Sequence, residues 1–234
     1  MKYEAVIFDL FGTLVDNYSR REYESMMVRM ASILSAPPDE FIRLWLDTST
    51  QRGIGVFRSL EANIEYICRE FKVHVSDAQV KEVTRVRFNF VGRWMRPRPS
   101  SVEVLSHLKS QGYKIGLISD CSMDTPTVWG DTPFAPLVDV TVFSCLVGMM
   151  KPDPRIYQIA TAQLGVEPQR CVYIGDGSSQ ELTGASRVGM HPVLIRVPDE
   201  DITDAHQIDR EEWDGPVVSS LREVLTLVGG LQKE

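Results

Sequence analysis

Five short apolar runs alternate with amphipathic segments along the chain. The runs are "YEAVIFD" (3–9), "KIGLISD" (114–120), "VTVFS" (140–144), "CVYIGD" (171–176) and "PVLIRV" (192–197). Because they are continuous and rich in β-branched residues, they indicate strands that are covered on both faces of a parallel sheet. Helical periodicity occupies the segments between and after them, at 100–112, 154–165, 178–189 and 219–230. This alternation predicts an α/β fold with a Rossmann-like, doubly wound parallel sheet.

The segment between the first two runs breaks the alternation. Residues 17–95 show only helical periodicity, at 21–36, 38–51, 57–71 and 76–95. We therefore predict a core of residues 1–16 and 96–234 with an inserted helical cap of residues 17–95. Within the cap, the polar stretch 48–55 is predicted to be a flexible loop between two helices. The acidic, aperiodic segment 198–216 is predicted to be a surface loop.

Composition narrows the range of partners. The formal net charge is −7, which argues against a nucleic-acid backbone as partner because few cations are available to replace its counterions. No apolar run reaches the roughly 18 residues that a membrane span needs, and the first apolar stretch is too short for a signal peptide. The four cysteines are scattered without metal-site spacing. We expect a cytoplasmic protein with reduced thiols, a monomer or homodimer that binds neither membranes nor nucleic acid.

Polar residues stand where the apolar runs end. Asp9 ends the first run, Ser119 and Asp120 end the second, Asp176 ends the fourth, and Lys151 follows the third. Ligands of open α/β sheets bind beyond the carboxyl ends of the strands, so these side chains are expected to converge at one edge of the sheet. A single strand-end Asp is more often a turn or cap residue. The functional interpretation therefore depends on the combination.

Four of these segments resemble a known family. In order, "FDLFGTL", "LISDC", "KPDPRIY" and "IGDGSSQE" are similar to motifs one to four of the haloacid dehalogenase-like hydrolase superfamily. The insertion lies where members of its first cap class carry a helical cap. The resemblance implies a phosphatase in which Asp9 attacks phosphorus and forms an aspartyl phosphate. Lys151 would then neutralise the phosphate and the nucleophile, and Ser119 would donate a hydrogen bond to the phosphoryl oxygens.

The resemblance also implies a Mg²⁺ cofactor and a small phosphorylated metabolite as substrate. Its metal ligands are expected to be the Asp9 carboxylate, the Phe11 backbone carbonyl, Asp176 and Glu181. Glu181 stands where Asp is more usual, but it keeps the charge. Backbone N–H groups near Gly12 and Thr13 are expected to cradle the phosphoryl oxygens. Substrate contacts are thus predicted for Gly12, Thr13, Ser119, Asp120 and, in the cap, Arg52.

One position departs from the phosphatase pattern. Most phosphatases of the family carry Asp two residues after the nucleophile, where it protonates the leaving oxygen and later activates water. This chain has Phe11, which cannot transfer a proton, and general acid–base catalysis is worth about 10²–10⁴-fold. Asp16, Asp120 or a cap residue could take over this role, and the sequence does not choose among them.

The same position defines two alternatives. Dehalogenases of the superfamily carry an aromatic residue there, need no metal, attack carbon through the same aspartate and bind the substrate carboxylate with a cap arginine. Arg20, Arg21 and Arg52 are available for that contact. A metal-independent 2-haloacid dehalogenase is therefore one alternative, and a catalytically weak phosphate-binding regulatory protein is another. The phosphatase is favoured because the fourth motif presents an acidic pair suited to a metal.

Overall fold

The computed structural model describes residues 2–198 and 211–229. In this part of the chain six parallel strands form one sheet in the order β3-β2-β1-β4-β5-β6. The strands are β1 (Ala5–Phe8), β2 (Lys114–Ser119), β3 (Val140–Phe143), β4 (Cys171–Gly175), β5 (His191–Ile195) and β6 (Val217–Val218). Each of the five apolar runs forms a strand, so the predicted parallel α/β fold is confirmed. The sixth strand, at the edge of the sheet, was not predicted because two residues are too few to show a period.

Residues 17–95, the segment predicted to be an insertion and called the insertion below, contain five helices and no strand. They are α1 (Arg20–Ile33), α2 (Pro38–Asp47), α3 (Ser49–Gly53), α4 (Leu60–Glu70) and α5 (Asp77–Trp94). Serine side chains cap three of their N-termini: Ser19 accepts from the Glu22 amide, Ser59 from that of Ala62, and Ser76 forms a capping box with Gln79. Such caps satisfy amides that have no partner within the helix.

The predicted loop at 48–55 is instead mostly helical. Residues Ser49–Gly53 form α3, in which the Arg52 amide donates to the Thr48 carbonyl at 3.0 Å. The Arg52 side chain is buried, and its Nη1 donates to the Trp45 carbonyl at 2.6 Å and to Thr48 Oγ1 at 2.7 Å. These bonds fold the polar stretch back onto the end of α2, and for that reason the prediction of a loop was wrong.

Six further α-helices lie around the sheet in residues 96–198 and 211–229. They are α6 (Ser101–Ser110), α7 (Asp124–Trp129), α8 (Ser144–Val147), α9 (Pro154–Leu164), α10 (Glu181–Arg187) and α11 (Leu221–Gly229). The short helices α7 and α8 were not predicted. Most of the predicted surface loop at 198–216 lies outside the described residues, and residues 211–216 form neither helix nor strand. No helix in the described part of the chain has both the length and the apolarity to cross a membrane.

Both faces of the sheet are buried. Val6 and Phe8 of β1 pack in one apolar cluster with residues of α6 and α11, including Leu105 and Val224. Ala5 and Ile7 point to the other face, into a cluster that includes residues of α9 and α10. Alternate residues of one strand therefore meet different helix layers, which explains why the apolar runs are continuous. The strand ends leave this core together at one edge.

Candidate active site

A lysine joins the ends of two strands at this edge. Lys151, in the turn between α8 and α9, places its Nζ 2.6 Å from Asp9 Oδ1 and 2.6 Å from Glu181 Oε2. All three side chains are buried. The structure therefore brings together residues from the first, third and fourth predicted segments, which are up to 172 positions apart in the chain.

A third carboxylate completes an acidic cluster. Asp9, Asp176 and Glu181 each bring one oxygen within 4.8 Å of the others. Two glycines make this approach possible: a Cβ on Gly12 would overlap Asp176 Oδ2, and one on Gly175 would overlap Glu181 Oε1. Gly12 also has a φ of +81°, which L-residues rarely adopt. The turn after β1 therefore needs glycine at this position for two reasons.

The cluster sets three buried carboxyl groups beside one buried amino group. Burial raises the pKa of Asp9 to about 6, although the Lys151 charge opposes the rise. Burial likewise raises the pKa of Glu181 well above its usual range. Burial by itself would lower the pKa of Lys151, but the Asp9 and Glu181 carboxylates raise it, so the ammonium group stays protonated. Three buried carboxylates share this one cation, and a second source of positive charge would relieve the excess.

The oxygen donors fit a hard divalent cation. Asp9 and Asp176 offer carboxylate oxygens, the ligand type that Mg²⁺ prefers. Glu181 lies in the same cluster but is also engaged elsewhere: its Oε2 accepts from Tyr173 Oη at 2.8 Å as well as from Lys151, and its Oε1 accepts from the Gly177 amide at 3.0 Å. Glu181 thus has a clear role in holding Lys151 beside Asp9.

Three buried polar atoms near the strand ends have no hydrogen-bond partner in the described part of the chain. They are Thr13 Oγ1, Ser119 Oγ and Asp120 Oδ2. Buried polar groups are nearly always paired, so these atoms suggest a ligand or water that completes their hydrogen bonds.

The backbone amides of Gly12 and Thr13, which were predicted to cradle the phosphoryl oxygens, have partners within the protein. The Gly12 amide donates to the Val15 carbonyl at 2.8 Å and the Thr13 amide to the Leu10 carbonyl at 3.3 Å. Both amides are therefore already used to close the turn.

A cavity of about 290 Å³ opens in front of Asp9. Its wall combines residues of the core with residues of the insertion, in particular Asp9, Asp120, Lys151, Tyr18, Tyr23, Arg52 and Arg87. Thr13 and Ser119 are buried outside this wall. The insertion therefore covers the strand ends, and any molecule that reaches Asp9 also meets residues of the insertion.

Two arginines of the insertion give the wall positive charge. Arg52, a predicted substrate contact, lies with its guanidinium 4.1 Å from the centre of the Trp45 ring. Burial lowers the pKa of Arg52 to about 10, which leaves it charged at neutral pH. Arg20 and Arg21, the other predicted carboxylate-binding candidates, are exposed on α1 and outside the wall.

Arg87 was not predicted from the sequence. It forms a buried ion pair with Asp124, which connects α5 of the insertion to α7 of the core. Aromatic rings surround its guanidinium, with the centres of Tyr18, Tyr23, Trp45 and Phe90 between 5.4 and 5.9 Å away. Cation–π contacts of this kind stabilise a desolvated cation. The partners are 37 positions apart, and no local pattern in the sequence links them.

The structure separates the candidates for the missing acid–base group. Phe11 is in the cavity wall, where its ring centre lies 4.8 Å from that of Tyr18. The Asp16 side chain is largely exposed, forms an ion pair with Arg98 and is not part of this wall. Asp120 does line the cavity, and its Oδ1 accepts from the Lys151 amide at 3.0 Å.

Comparisons with known proteins agree with this geometry. The chain is 26% identical over 235 residues to a glyceraldehyde 3-phosphate phosphatase of Methanothermobacter thermautotrophicus, covering 95% of this chain and 99% of the relative. It is also 26% identical to the (S)-2-haloacid dehalogenase 4A of Burkholderia cepacia, covering 82% of each. The crystal structure of a HAD phosphatase from Thermococcus onnurineus has the same fold, with a TM-score of 0.65, 22% identity and coverage of 97% and 98%.

A family model supplies the assignment. The model described as haloacid dehalogenase-like hydrolase matches residues 3–189, which include β1 to β4, the insertion and all the residues of the acidic cluster. The chain belongs to the haloacid dehalogenase-like hydrolases.

Proposed function

We propose that this hydrolase is a Mg²⁺-dependent phosphatase that cleaves a small phosphate monoester through an aspartyl-phosphate intermediate. The observation that carries the proposal is the buried Asp9, held 2.6 Å from Lys151 in a cluster with two further carboxylates. The relatives named glyceraldehyde 3-phosphate phosphatase support phosphate monoesters as the substrate class.

The acidic cluster supports the metal requirement. Asp9, Asp176, the Phe11 carbonyl and Glu181 would hold the ion, with Glu181 also fixing Lys151. Bound there, Mg²⁺ would neutralise phosphoryl oxygens that otherwise repel the carboxylate nucleophile. Without such an ion, three buried carboxylates around one lysine would repel an anionic substrate.

The chain's own residues perform the displacement. Asp9 uses a carboxylate oxygen to attack phosphorus, and water later hydrolyses the resulting acyl phosphate. The Lys151 ammonium group donates a hydrogen bond to a phosphoryl oxygen, and Glu181 holds this ammonium group in place. The buried hydroxyls of Ser119 and Thr13 have no hydrogen-bond partner among the described residues and would donate to the remaining oxygens.

In this proposal residues 17–95 act as a cap over a core of residues 1–16 and 96–234. Tyr18, Tyr23, Arg52 and Arg87 belong to the insertion and line the cavity. Closure over the strand ends would exclude bulk water and select substrates by size. A volume of about 290 Å³ suits a small metabolite, and the two arginines favour an anionic one.

Phe11 favours a second candidate function. An aromatic residue at this position and the relative named (S)-2-haloacid dehalogenase 4A are consistent with attack of Asp9 on carbon, with Arg52 or Arg87 binding the substrate carboxylate. This function requires no metal. The acidic cluster makes it the weaker candidate, and the regulatory alternative is weaker still because Asp9 and Lys151 are both in place.

The test is phosphate release from p-nitrophenyl phosphate and from a panel of small sugar and organic-acid phosphates. We expect turnover that needs Mg²⁺, stops with a chelator and is lost in Asp9→Asn. Asp131→Asn is a substitution of the same kind at an exposed residue outside the cavity wall, and it is expected to leave the rate unchanged. Activity that survives the chelator, or chloride release from a 2-haloacid, would favour the dehalogenase. Binding of Mg²⁺ and phosphate without turnover would favour the regulatory protein.

A further inference from the structure

Asp120 follows the carboxyl end of β2 and lines the cavity in front of Asp9. In the parallel register of β1 and β2, Phe8 pairs with Leu117. Asp9 is therefore one residue beyond this pair and Asp120 three residues beyond it, which places Asp120 two positions further out. Phe11 follows Asp9 by two residues, in the turn after β1, and its side chain lines the same cavity as Asp120. Asp120 therefore offers this cavity the carboxyl group that Phe11 lacks.

We propose that Asp120 is the general acid and general base of this enzyme, in place of the carboxylate that is absent at Phe11. This inference rests on the phosphatase function proposed above. It goes beyond that function because it assigns the proton transfers to a named side chain.

One lysine fixes the two carboxyl groups relative to each other. The Lys151 amide donates to Asp120 Oδ1 at 3.0 Å, while the Nζ of the same residue is 2.6 Å from Asp9 Oδ1. Asp9 and Asp120 are therefore both held by Lys151, and both line the cavity. A phosphoryl group bonded to Asp9 would lie in the cavity that Asp120 also lines.

The two oxygens of Asp120 have different environments. Oδ1 is held by the Lys151 amide, whereas Oδ2 is buried and has no hydrogen-bond partner among the described residues. This leaves Oδ2 able to carry a proton and to exchange it with a ligand. Burial raises the pKa of Asp120, although the Lys151 charge and hydrogen bonds from the Lys151 amide and the Ser179 side chain oppose the rise. The proton is therefore retained to a higher pH than on an exposed Asp.

The other carboxyl groups of the wall and Tyr18 are unsuited to the task. Among the described residues the wall has three carboxyl groups, those of Asp9, Asp120 and Asp124. Asp9 is the nucleophile, and Asp124 is committed to the buried ion pair with Arg87. Burial raises the pKa of Tyr18 well above its usual range, so its phenol could donate a proton but could not serve as the base.

Both proton transfers involve Asp120 Oδ2. In the first, Asp9 forms a bond to phosphorus, the bond from phosphorus to the leaving oxygen breaks, and that oxygen takes the proton from Asp120 Oδ2. Asp120 becomes a carboxylate. In the second, water attacks phosphorus, Asp120 takes one proton from the water, and the bond between phosphorus and Asp9 breaks. Inorganic phosphate leaves, and both side chains return to their starting states.

Leaving-group dependence tests this role. For Mg²⁺-loaded enzyme, kcat/KM reports phosphorylation of Asp9, and only a basic leaving oxygen needs a proton in that step. In Asp120→Asn we expect kcat/KM to fall by about 10²-fold or more for an alkyl phosphate and by less than about 10-fold for p-nitrophenyl phosphate. Because the second step also loses its base, p-nitrophenyl phosphate should give a burst of nitrophenolate equal to the enzyme concentration.

Two further variants distinguish chemistry from positioning. Asn keeps an oxygen that can accept from the Lys151 amide, whereas Asp120→Ala removes that acceptor as well. Equal losses on the alkyl phosphate in the Asn and Ala variants support proton transfer. Near wild-type kinetics in Asp120→Asn, with a loss only in Ala, would mean a positioning role and would overturn the inference. A selective loss in Asp16→Asn instead would transfer the role to Asp16 and overturn it too.

The outcome also separates this inference from the proposed function. An active wild type whose Asp120→Asn variant treats both substrates alike overturns the role of Asp120 and leaves the phosphatase intact. A wild type that releases phosphate from neither substrate overturns the phosphatase, and the role of Asp120 with it.

Discussion

Gly12 shows how one missing side chain shapes the acidic cluster. In Gly12→Ala the added Cβ would overlap Asp176 Oδ2, at a φ of +81° that already disfavours alanine. We expect a loss of about 1–2 kcal/mol in unfolding free energy from the backbone. Displacement of Asp176 should in addition lower Mg²⁺ affinity by about 10–100-fold, as expected when a ligand is reoriented. Calorimetric Mg²⁺ titration and thermal denaturation measure the two effects separately.

Gly112 provides the matched control for this substitution. Its φ is +84°, but nothing lies within 4 Å of a Cβ added there. Gly112→Ala should therefore lose similar stability and keep full Mg²⁺ affinity and activity. Equal Mg²⁺ affinities in the two variants would contradict the role given to Gly12.

Single residues differ in how visible their roles are in the sequence. Asp9, Lys151 and Asp176 were predicted to meet because polar residues that follow parallel strands share one edge of the sheet. The contact of Arg87 with Asp124 was invisible, since it depends on how a helix of the insertion packs against the core. The choice of Asp120 over Asp16 was also invisible, because it depends on which carboxyl group is buried.

Helices α5 and α7 are joined by the buried ion pair of Arg87 and Asp124, whose side chains are 5% and 1% exposed. Asp124→Asn would leave the Arg87 guanidinium buried without a counter-charge. Removing one partner of such a buried pair lowers the free energy of unfolding by about 3–5 kcal/mol. We expect a clearly lower melting temperature and looser closure of the insertion, seen as faster hydrogen exchange in α5. Replacing both partners with apolar residues of similar size should recover most of the stability.

Arg85, two residues earlier on α5, is the control for this prediction. It pairs with Glu82 on the surface, where solvent screens both charges. Arg85→Gln should leave the melting temperature and the exchange of α5 unchanged. A melting temperature of Asp124→Asn that matches that of Arg85→Gln would show that the buried pair does not hold the two helices together.

The elements that the sequence revealed are the long ones. Helices such as α5, with 18 residues, show several turns of periodicity. Each strand of four or more residues among the described residues coincides with one of the apolar runs. Helices α3, α7 and α8 have five, six and four residues, less than two turns, so no apolar face can be recognised. Tertiary contacts, such as the Arg52 bonds that fix α3, decide the conformation of these short segments.

At the scale of the whole molecule, stability and activity are linked through the acidic cluster. The chain has a net charge of −7, and three of its carboxylates are buried around one lysine. Without a metal, protonation is the available way to reduce this charge. With Mg²⁺, the carboxylates must be ionised to bind it. The pH dependence of stability should therefore reverse when the metal is added.

Asp9 makes this reversal measurable. Its pKa is about 6 in the folded protein, against 3.8 as the ordinary value, so the folded state binds more protons between these values. In a chelator, the stability that Asp9 contributes is present at low pH and is lost as pH rises through about 6. The melting temperature of wild type minus that of Asp9→Asn should therefore fall from pH 5 to pH 7. With Mg²⁺ at about 100 times its Kd, binding should stabilise the folded wild type by about 2.7 kcal/mol. The wild-type melting temperature minus that of Asp9→Asn should then rise from pH 5 to pH 7. Parallel pH trends in chelator and in Mg²⁺ would show that Asp9 does not bind the ion.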